Sequence, residues 1–127
     1  MNKKEILELI KTGEGYTLEL KEGLSSSLGK EICAFANSKG GRVILGIKDS
    51  GNISGIKITN SLKSQIQNFA RNIDPAFSVE IDEVENVLVI SVPEGKKKPY
   101  SVNGQFFLRI GANCQQLNRD EIREFFQ

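Results

Sequence analysis

The chain has 127 residues, with 17 Lys and Arg, 16 Asp and Glu and no histidine, so its formal net charge is +1 at pH 7. This length predicts one domain over residues 1–127 with a single core, and the balanced charge argues against a strongly basic protein that coats nucleic acid. Because the sequence contains neither a long apolar run nor the apolar core of a signal peptide, we expect no membrane partner and a cytoplasmic location.

The N-terminal segment predicts a helix followed by a strand. Residues 3–11 carry apolar side chains at helical spacing, and Asn2 precedes them as a cap. Residues 16–21 alternate between apolar and polar side chains, which is typical of a strand. Glu19 and Lys21 therefore share one face, and we expect a carboxylate and an ammonium group to lie side by side.

A buried helix and a buried strand come next. The helix is indicated by apolar residues at steps of three and four, which are Leu28, Ile32, Phe35 and Ala36. Serines 25–27 can cap its start, and 37–41 end it with Gly40 or Gly41 in the left-handed conformation. The nearly continuous apolar run at 43–47 predicts a strand that is covered on both faces, and 49–52 predict a turn.

The following segment predicts a helix and a hairpin. Helical spacing relates the apolar residues Leu62, Ile66, Phe69 and Ile73. Asp74-Pro75 ends this helix because the residue before a proline avoids helical geometry. Alternation at 77–81, a turn at 85–86 and an apolar return at 87–92 indicate two antiparallel strands.

The last part of the chain predicts a second hairpin and a short helix. Residues 100–102 and 105–110 flank Asn103-Gly104, a favoured hairpin turn. Asn118 followed by Glu121 resembles a capping box. We expect the apolar residues of this helix to face the core, namely Ile122, Phe125 and Phe126. These elements together predict an α+β fold, with a mixed, mostly antiparallel sheet and helices inserted between the strands.

Three acids stand near the ends of strands that we expect to be neighbours, and they are Glu14, Glu19 and Asp49. Carboxylates within reach of one another repel unless a cation lies between them. Mg²⁺ uses a few carboxylate oxygens and leaves its other positions to water and phosphate. The acids therefore indicate a Mg²⁺ or Mn²⁺ site that acts on a phosphate. The alternative is a Glu19–Lys21 ion pair, a solvated Glu14 and a turn-forming Asp49.

Five segments follow one another along the chain: Glu-Leu-Lys at 19–21, Ala-Phe-Ala-Asn-Ser-Lys-Gly-Gly at 34–41, Leu-Gly-Ile-Lys-Asp-Ser-Gly at 45–51, Lys-Pro-Tyr at 98–100 and Phe-Leu-Arg-Ile-Gly at 107–111. In this order they resemble the Schlafen AlbA-type domain. The resemblance covers nearly the whole chain and implies an Alba-like lobe. Some members of the family are ribonucleases that act on transfer RNA, and others are nucleic-acid-binding parts of regulators.

The resemblance implies roles for individual residues. Glu14, Glu19 and Asp49 match the family's three catalytic acids, which would hold Mg²⁺ or Mn²⁺, and Lys21 matches the lysine of its Glu-x-Lys pattern. Lys21 could contact the scissile phosphate; the alternative is an ion pair with Glu19 or Glu22. Zinc is not expected, because the chain offers two distant cysteines and no histidine. ATP is not expected either, because Gly40-Gly41 is not followed by a Walker-type lysine.

Basic residues indicate where a nucleic acid would bind. The candidates are Lys39, Arg42, Lys96, Lys97, Lys98, Tyr100 and Arg109. A lysine cluster, an aromatic ring and an arginine on the next strand can bind phosphates without sequence preference. The alternative is a solvated lysine loop.

Together with the three acids, the resemblance implies a divalent-metal-dependent endoribonuclease that acts on structured RNA such as transfer RNA, in preference to DNA. The alternative is a non-catalytic DNA- or RNA-binding module of a transcriptional regulator, and a protein-interaction domain is a third possibility. Phe125 and Phe126 suggest either docking on the core or an interface with another subunit. Because two such lobes pack into a clamp in Schlafen proteins, the resemblance implies a homodimer that forms an equivalent cleft.

Overall fold

The computed structural model describes all residues from 1 to 127 and contains four helices and eight strands. The helices are α1 (Lys3–Thr12), α2 (Leu28–Ala36), α3 (Asn60–Arg71) and α4 (Arg119–Glu124). The strands are β1 (Leu18–Lys21), β2 (Gly41–Leu45), β3 (Ile73–Asp74), β4 (Glu80–Val84), β5 (Val87–Val92), β6 (Ser101–Val102), β7 (Gln105–Ile110) and β8 (Asn113–Gln116). None of the helices is long and apolar enough to cross a bilayer.

The strands form two four-stranded sheets, in the orders β1-β2-β5-β4 and β3-β6-β7-β8. β1 and β2 are parallel, and the other pairs are antiparallel. The prediction of an α+β fold with mixed, mostly antiparallel pairing is therefore confirmed. β1 is an edge strand, so one side of its backbone is not paired with another strand.

The core has two parts, one on each face of the first sheet. The larger part is centred on α2, where eight of nine residues are buried. The smaller part lies between the sheet and α1 and includes Ile6, Leu18 and Ile44. Because side chains alternate along a strand, Leu18 faces the smaller core, whereas Glu19 and Lys21 face the side on which α2 packs.

Asn37 connects α2 to the second sheet. Its side-chain nitrogen donates to the carbonyls of Tyr100 at 2.9 Å and Phe107 at 2.8 Å. Its oxygen accepts the backbone N–H of Tyr100 at 2.6 Å. A buried amide with all these bonds fixes the position of the chain around it. The asparagine in the segment 34–41 therefore has a structural role.

Helix caps were predicted correctly at two of three positions. Asn2 accepts the N–H of Glu5, and Asn118 and Glu121 form a capping box. Ser27 is the N-cap of α2, but its hydroxyl forms no cap hydrogen bond and contacts Lys21 instead. The expected core packing of α4 is wrong for Phe126, which is 73 % exposed.

Candidate functional site

A tight turn brings Glu14 and Glu19 together at the free edge of β1. Gly15 and Leu18 are joined by two backbone hydrogen bonds, so Tyr16 and Thr17 form the tip of the turn. The side chains of Glu14 and Glu19 lie within hydrogen-bonding reach of each other. Glu14 Oε2 also accepts the N–H of Leu20 at 3.0 Å, a backbone group on the free side of the strand.

Arg109, from β7 of the other sheet, reaches the same edge. Its Nη1 donates to Glu19 Oε1 at 2.7 Å, and its Nη2 donates to the carbonyls of Gly15 at 2.8 Å and Leu18 at 3.0 Å. The guanidinium also lies over the ring of Phe35, 4.8 Å from its centroid. Its side chain is fully buried, so the expectation that Arg109 contacts nucleic acid directly is wrong. Its role in this structure is to hold the turn.

The two glutamates have opposite pKa shifts. A hydrogen bond with Glu19 lowers the pKa of Glu14, despite its partial burial. Burial, followed by the Glu14 contact, raises the pKa of Glu19 to about 7, although Arg109 acts in the opposite direction. We therefore expect the pair to share one proton near neutral pH. A divalent cation bound to both carboxylates would replace this proton and, in addition to Arg109, offset their mutual repulsion.

Lys21 forms an ion pair, but not with the residues that the sequence suggested. Its Nζ lies 2.8 Å from Glu31 Oε2 and donates to the hydroxyl of Ser27 at 3.0 Å. The expected alternatives, pairing with Glu19 or Glu22, are therefore wrong. An ammonium group has three donors, so one N–H of Lys21 remains for another ligand.

Glu31 was not recognised from the sequence. It is only 5 % exposed, and its Oε1 has no hydrogen-bond partner. Burial is the main cause of its raised pKa, which the contact with Lys21 counteracts. The sequence gave one signal, because Glu31 and Lys30 are the only charged residues of an otherwise apolar helix. A single acid within an otherwise buried helix is unusual.

Asp49 lies apart from the glutamate pair. The predicted neighbours β1 and β2 do pair, and the amides of Gly46 and Ile47 both donate to the carbonyl of Lys21. Asp49 follows in an exposed turn beyond this end of β2. The structure contains no group of three or more Cys, Asp or Glu side chains arranged to hold a metal ion. It therefore brings Glu14 and Glu19 together without Asp49.

The glutamate pair itself fits a hard divalent cation. Mg²⁺ is commonly held by one or two carboxylates, with water and substrate phosphate as its other ligands. Glu14 and Glu19 provide two carboxylates in contact, and Arg109 supplies only one opposing charge. The donor set contains oxygen and no imidazole, which suits Mg²⁺ or Mn²⁺.

The lysine loop, defined as residues 94–98, is anchored by Tyr100. The Tyr100 hydroxyl accepts the backbone N–H groups of Lys96 at 3.1 Å and Lys97 at 3.0 Å. Tyr100 is only 3 % exposed, so the expected direct contact between Tyr100 and nucleic acid is wrong. Lys98 binds the Ser38 carbonyl and Glu94, whereas Lys96 and Lys97 are exposed. The loop therefore presents two free ammonium groups on a fixed backbone.

Lys39 and Arg42 line an open polar groove of about 500 Å³ at the opposite end of β2 from Asp49. Three hydroxyl residues and one acid complete its polar lining, and these are Thr17, Ser78, Ser91 and Glu80. Gly40 shapes the rim, because a Cβ there would lie 2.6 Å from the Val92 carbonyl. The Gly40 amide donates to the Phe35 carbonyl, so this glycine serves the backbone and offers no amide to a phosphate.

Comparisons with known proteins agree with the fold and identify the family. No curated protein sequence matches the chain. Among solved structures, the fold is similar to that of the DIP2311 protein from Corynebacterium diphtheriae, with a TM-score of 0.61 and 20 % identity over 87 % of this chain. The chain spans 23 % of the length of that protein. The profile of the family described as "Schlafen, AlbA_2" matches residues 14–118. The chain therefore belongs to the Schlafen AlbA_2 family, which is related to nucleic-acid interaction.

Proposed function

We propose that the chain is a nucleic-acid-binding domain that cleaves RNA in a reaction dependent on Mg²⁺ or Mn²⁺. The observation that carries this proposal is the contact between Glu14 and Glu19, with the pKa of Glu19 raised to about 7. Two acids in contact at an accessible strand edge do not serve a hydrophobic core. They are suited to a cation that meets a phosphate.

The residues around the glutamate pair would have separate roles in the reaction. A divalent cation held by Glu14 and Glu19 would neutralise phosphate charge and lower the pKa of an attacking water or hydroxyl group. Arg109 fixes the turn and keeps one Glu19 oxygen in place. Lys21 has one N–H left to donate to a phosphate oxygen, since Glu31 and Ser27 engage the others. Asp49 would be the third carboxylate that the family pattern implies.

The finer substrate assignment follows from the family resemblance. Structured RNA such as transfer RNA is our first candidate, ahead of DNA, and it would place the activity in the cytoplasm. The exposed cations Lys39, Arg42, Lys96 and Lys97 support binding to a phosphate backbone. Their small number suits a modest affinity that depends on salt.

A direct experiment separates cleavage from binding. Purified protein is incubated with total transfer RNA and with duplex DNA, in Mn²⁺, in Mg²⁺ and in EDTA. We expect metal-dependent RNA fragments that disappear in Glu14→Gln and Glu19→Gln. The matched control is Glu22→Gln, which removes an exposed acid close to the site. Fragments that persist in EDTA or in both site variants would overturn the proposal.

The second candidate is a nucleic-acid-binding module without catalysis. The separation of Asp49 from the glutamate pair favours it, because the structure contains no three-acid metal group. Glu14 and Arg109 would then serve only to protect the edge of β1. RNA or DNA binding without cleavage, unchanged in Glu19→Gln, is the result that this candidate requires.

We also propose that two copies associate. A shallow groove of about 290 Å³ is lined by Leu108, Leu117 and Phe125 and two acids, and the exposed Phe126 follows it in the chain. A second copy could cover these apolar groups and complete a cleft. Sedimentation of the wild-type chain and of Phe126→Ser tests this: a concentration-dependent dimer that weakens in the variant supports it, and a monomer throughout contradicts it.

A further inference from the structure

Tyr16 is an exposed aromatic side chain between the two acids of the site. It is 41 % exposed, at the tip of the turn that separates Glu14 from Glu19. No side-chain hydrogen bond involves its hydroxyl, and it belongs to neither core cluster. The fold therefore gains little from an aromatic ring here.

The turn that carries Tyr16 is held firmly. Gly15 and Leu18 bond to each other through their backbones, and the Gly15 carbonyl also accepts two N–H groups of Arg109, at 3.1 and 2.8 Å. A ring on a fixed backbone loses less entropy on binding than one on a mobile loop. The position is thus suited to contact a ligand.

The neighbouring residue Thr17 connects this tip to the basic groove. Thr17 lines the groove together with Lys39 and Arg42, and its carbonyl accepts the N–H of Arg42 at 2.9 Å. Glu80 on the opposite wall offsets one of the two positive charges. The exposed ring of Tyr16 is therefore one residue along the chain from a groove with two exposed cations, on the turn that joins the two acids.

We propose that Tyr16 is a stacking platform for an unpaired nucleobase, and that Lys39 and Arg42 bind the phosphates of the same single strand. This inference rests on the proposed function and names the part of the substrate that the site takes. A ring can stack on a base only when the base is free of its neighbours, which holds in loops, bulges and ends of RNA.

Binding measured in EDTA tests this without any cleavage. The probes are a fluorescent oligouridine and a duplex RNA of equal length. We expect Tyr16→Ala to weaken binding of the single strand by about 5- to 150-fold, the range for loss of one stacked base, and to leave duplex binding unchanged. Tyr16→Phe keeps the ring and should bind as the wild type does.

Leu7→Ala is the matched control, because it removes another exposed apolar side chain, which lies on α1 and outside both the site and the proposed dimer surface. It should leave both affinities unchanged. Lys39→Gln with Arg42→Gln should reduce the salt dependence of single-strand binding, whereas Tyr16→Ala should not. Thermal unfolding confirms that each variant is folded.

The outcomes distinguish this inference from the proposed function. If Tyr16→Ala weakens both probes equally, or neither, the stacking role is overturned, whatever the cleavage assay gives. If the wild type binds neither probe and cleaves no RNA, the proposed function falls and this inference falls with it. If Tyr16→Ala loses only single-strand binding, and RNA cleavage depends on metal, both the stacking role and the proposed function are supported.

Discussion

Arg109 Nη1 lies 2.7 Å from Glu19 Oε1, and this buried ion pair joins the two sheets across 90 positions of sequence. The same guanidinium binds two carbonyls on the turn before β1 and at its start. Arg109 thus connects β7 to the edge of the first sheet and holds one acid of the candidate site. Substitution here should affect stability as well as activity.

Replacement of Arg109 should destabilise the protein strongly. Arg109→Met leaves Glu19 without its cation and removes the donors to the Gly15 and Leu18 carbonyls, so we expect a loss of about 3–5 kcal/mol in the free energy of unfolding. Arg109→Lys should recover little, because an ammonium group cannot reproduce the planar fork. Urea unfolding measures both, with the exposed Arg71→Gln as control. A loss in Arg109→Met no larger than in the control would contradict this role.

Glu19 should make stability fall as pH rises towards neutrality. Its pKa is about 7 in the folded protein and 4.5 ordinarily, so between these values the native state holds a proton that the unfolded chain has released. The contribution of Glu19 is complete below pH 4.5 and is lost as pH rises through about 7, with a slope of at most about 1.4 kcal/mol per pH unit. Urea unfolding at several pH values measures this slope.

Glu19→Gln should reduce the slope, whatever its effect on absolute stability. A part of the slope should remain in this variant, because the pKa of Glu31 is also raised. The lowered pKa of Glu14 acts in the opposite direction and below pH 4.5, outside the window. Equal slopes in Glu19→Gln and in the wild type would show that Glu19 does not carry the effect.

Divalent cations alone should raise the melting temperature. A ligand that binds only the native state at about 100 times its Kd adds about 2.7 kcal/mol, which is several degrees for a domain of this size. We expect Mn²⁺ to shift the wild type and Glu22→Gln but not Glu14→Gln. Asp49→Asn should keep most of the shift, because Asp49 lies apart from the pair, and should still lose turnover.

Differential scanning fluorimetry with a Mn²⁺ titration is the measurement for this prediction. The same shift in Glu14→Gln as in the wild type would remove the glutamate pair as the cation site. Complete loss of the shift in Asp49→Asn would instead show that the turn after β2 contributes to binding the cation in solution.

Two of the three clustered lysines should account for the salt dependence of RNA binding at the lysine loop. Lys96 and Lys97 are exposed, whereas Lys98 is engaged by the Ser38 carbonyl and Glu94. Each phosphate contact adds about 0.7 to the slope of log K against log salt for a single strand. We expect Lys96→Gln with Lys97→Gln to lower the slope by about 1.4, and Lys98→Gln to lower stability instead. A decrease in the slope of log K against log salt in Lys98→Gln would contradict this assignment.

Periodicity predicted most of the fold because most elements bury one face. α1, α2, α3 and both hairpins were predicted in this way, but the first strand of the first hairpin begins at Glu80 and not at residue 77, and Ile73, predicted on the helix, begins β3. β8 was not predicted, since Asn113-Cys-Gln-Gln116 has no alternation and its residues are largely exposed. The predicted core position of Phe126 was wrong, because apolar residues at helical spacing do not always face the core. In α4, no residue is buried.

The candidate site was predictable in its acids and not in their partners. Glu14 and Glu19 stand on either side of a short turn, so local sequence indicates that they are close. Arg109 and Glu31 reach the same place from β7 and α2, which no local pattern reveals. The role of Tyr100 could not be predicted from local sequence either, because its buried hydroxyl binds the backbone of the lysine loop.

Glu14 and Arg109 also occupy the backbone groups on the free side of β1, through the Leu20 N–H and the Leu18 carbonyl. An uncovered strand edge is a template for pairing with another chain. Loss of either side chain would therefore expose this template as well as impair the site. The two side chains thus protect the monomer from edge-to-edge self-assembly in addition to building the candidate site.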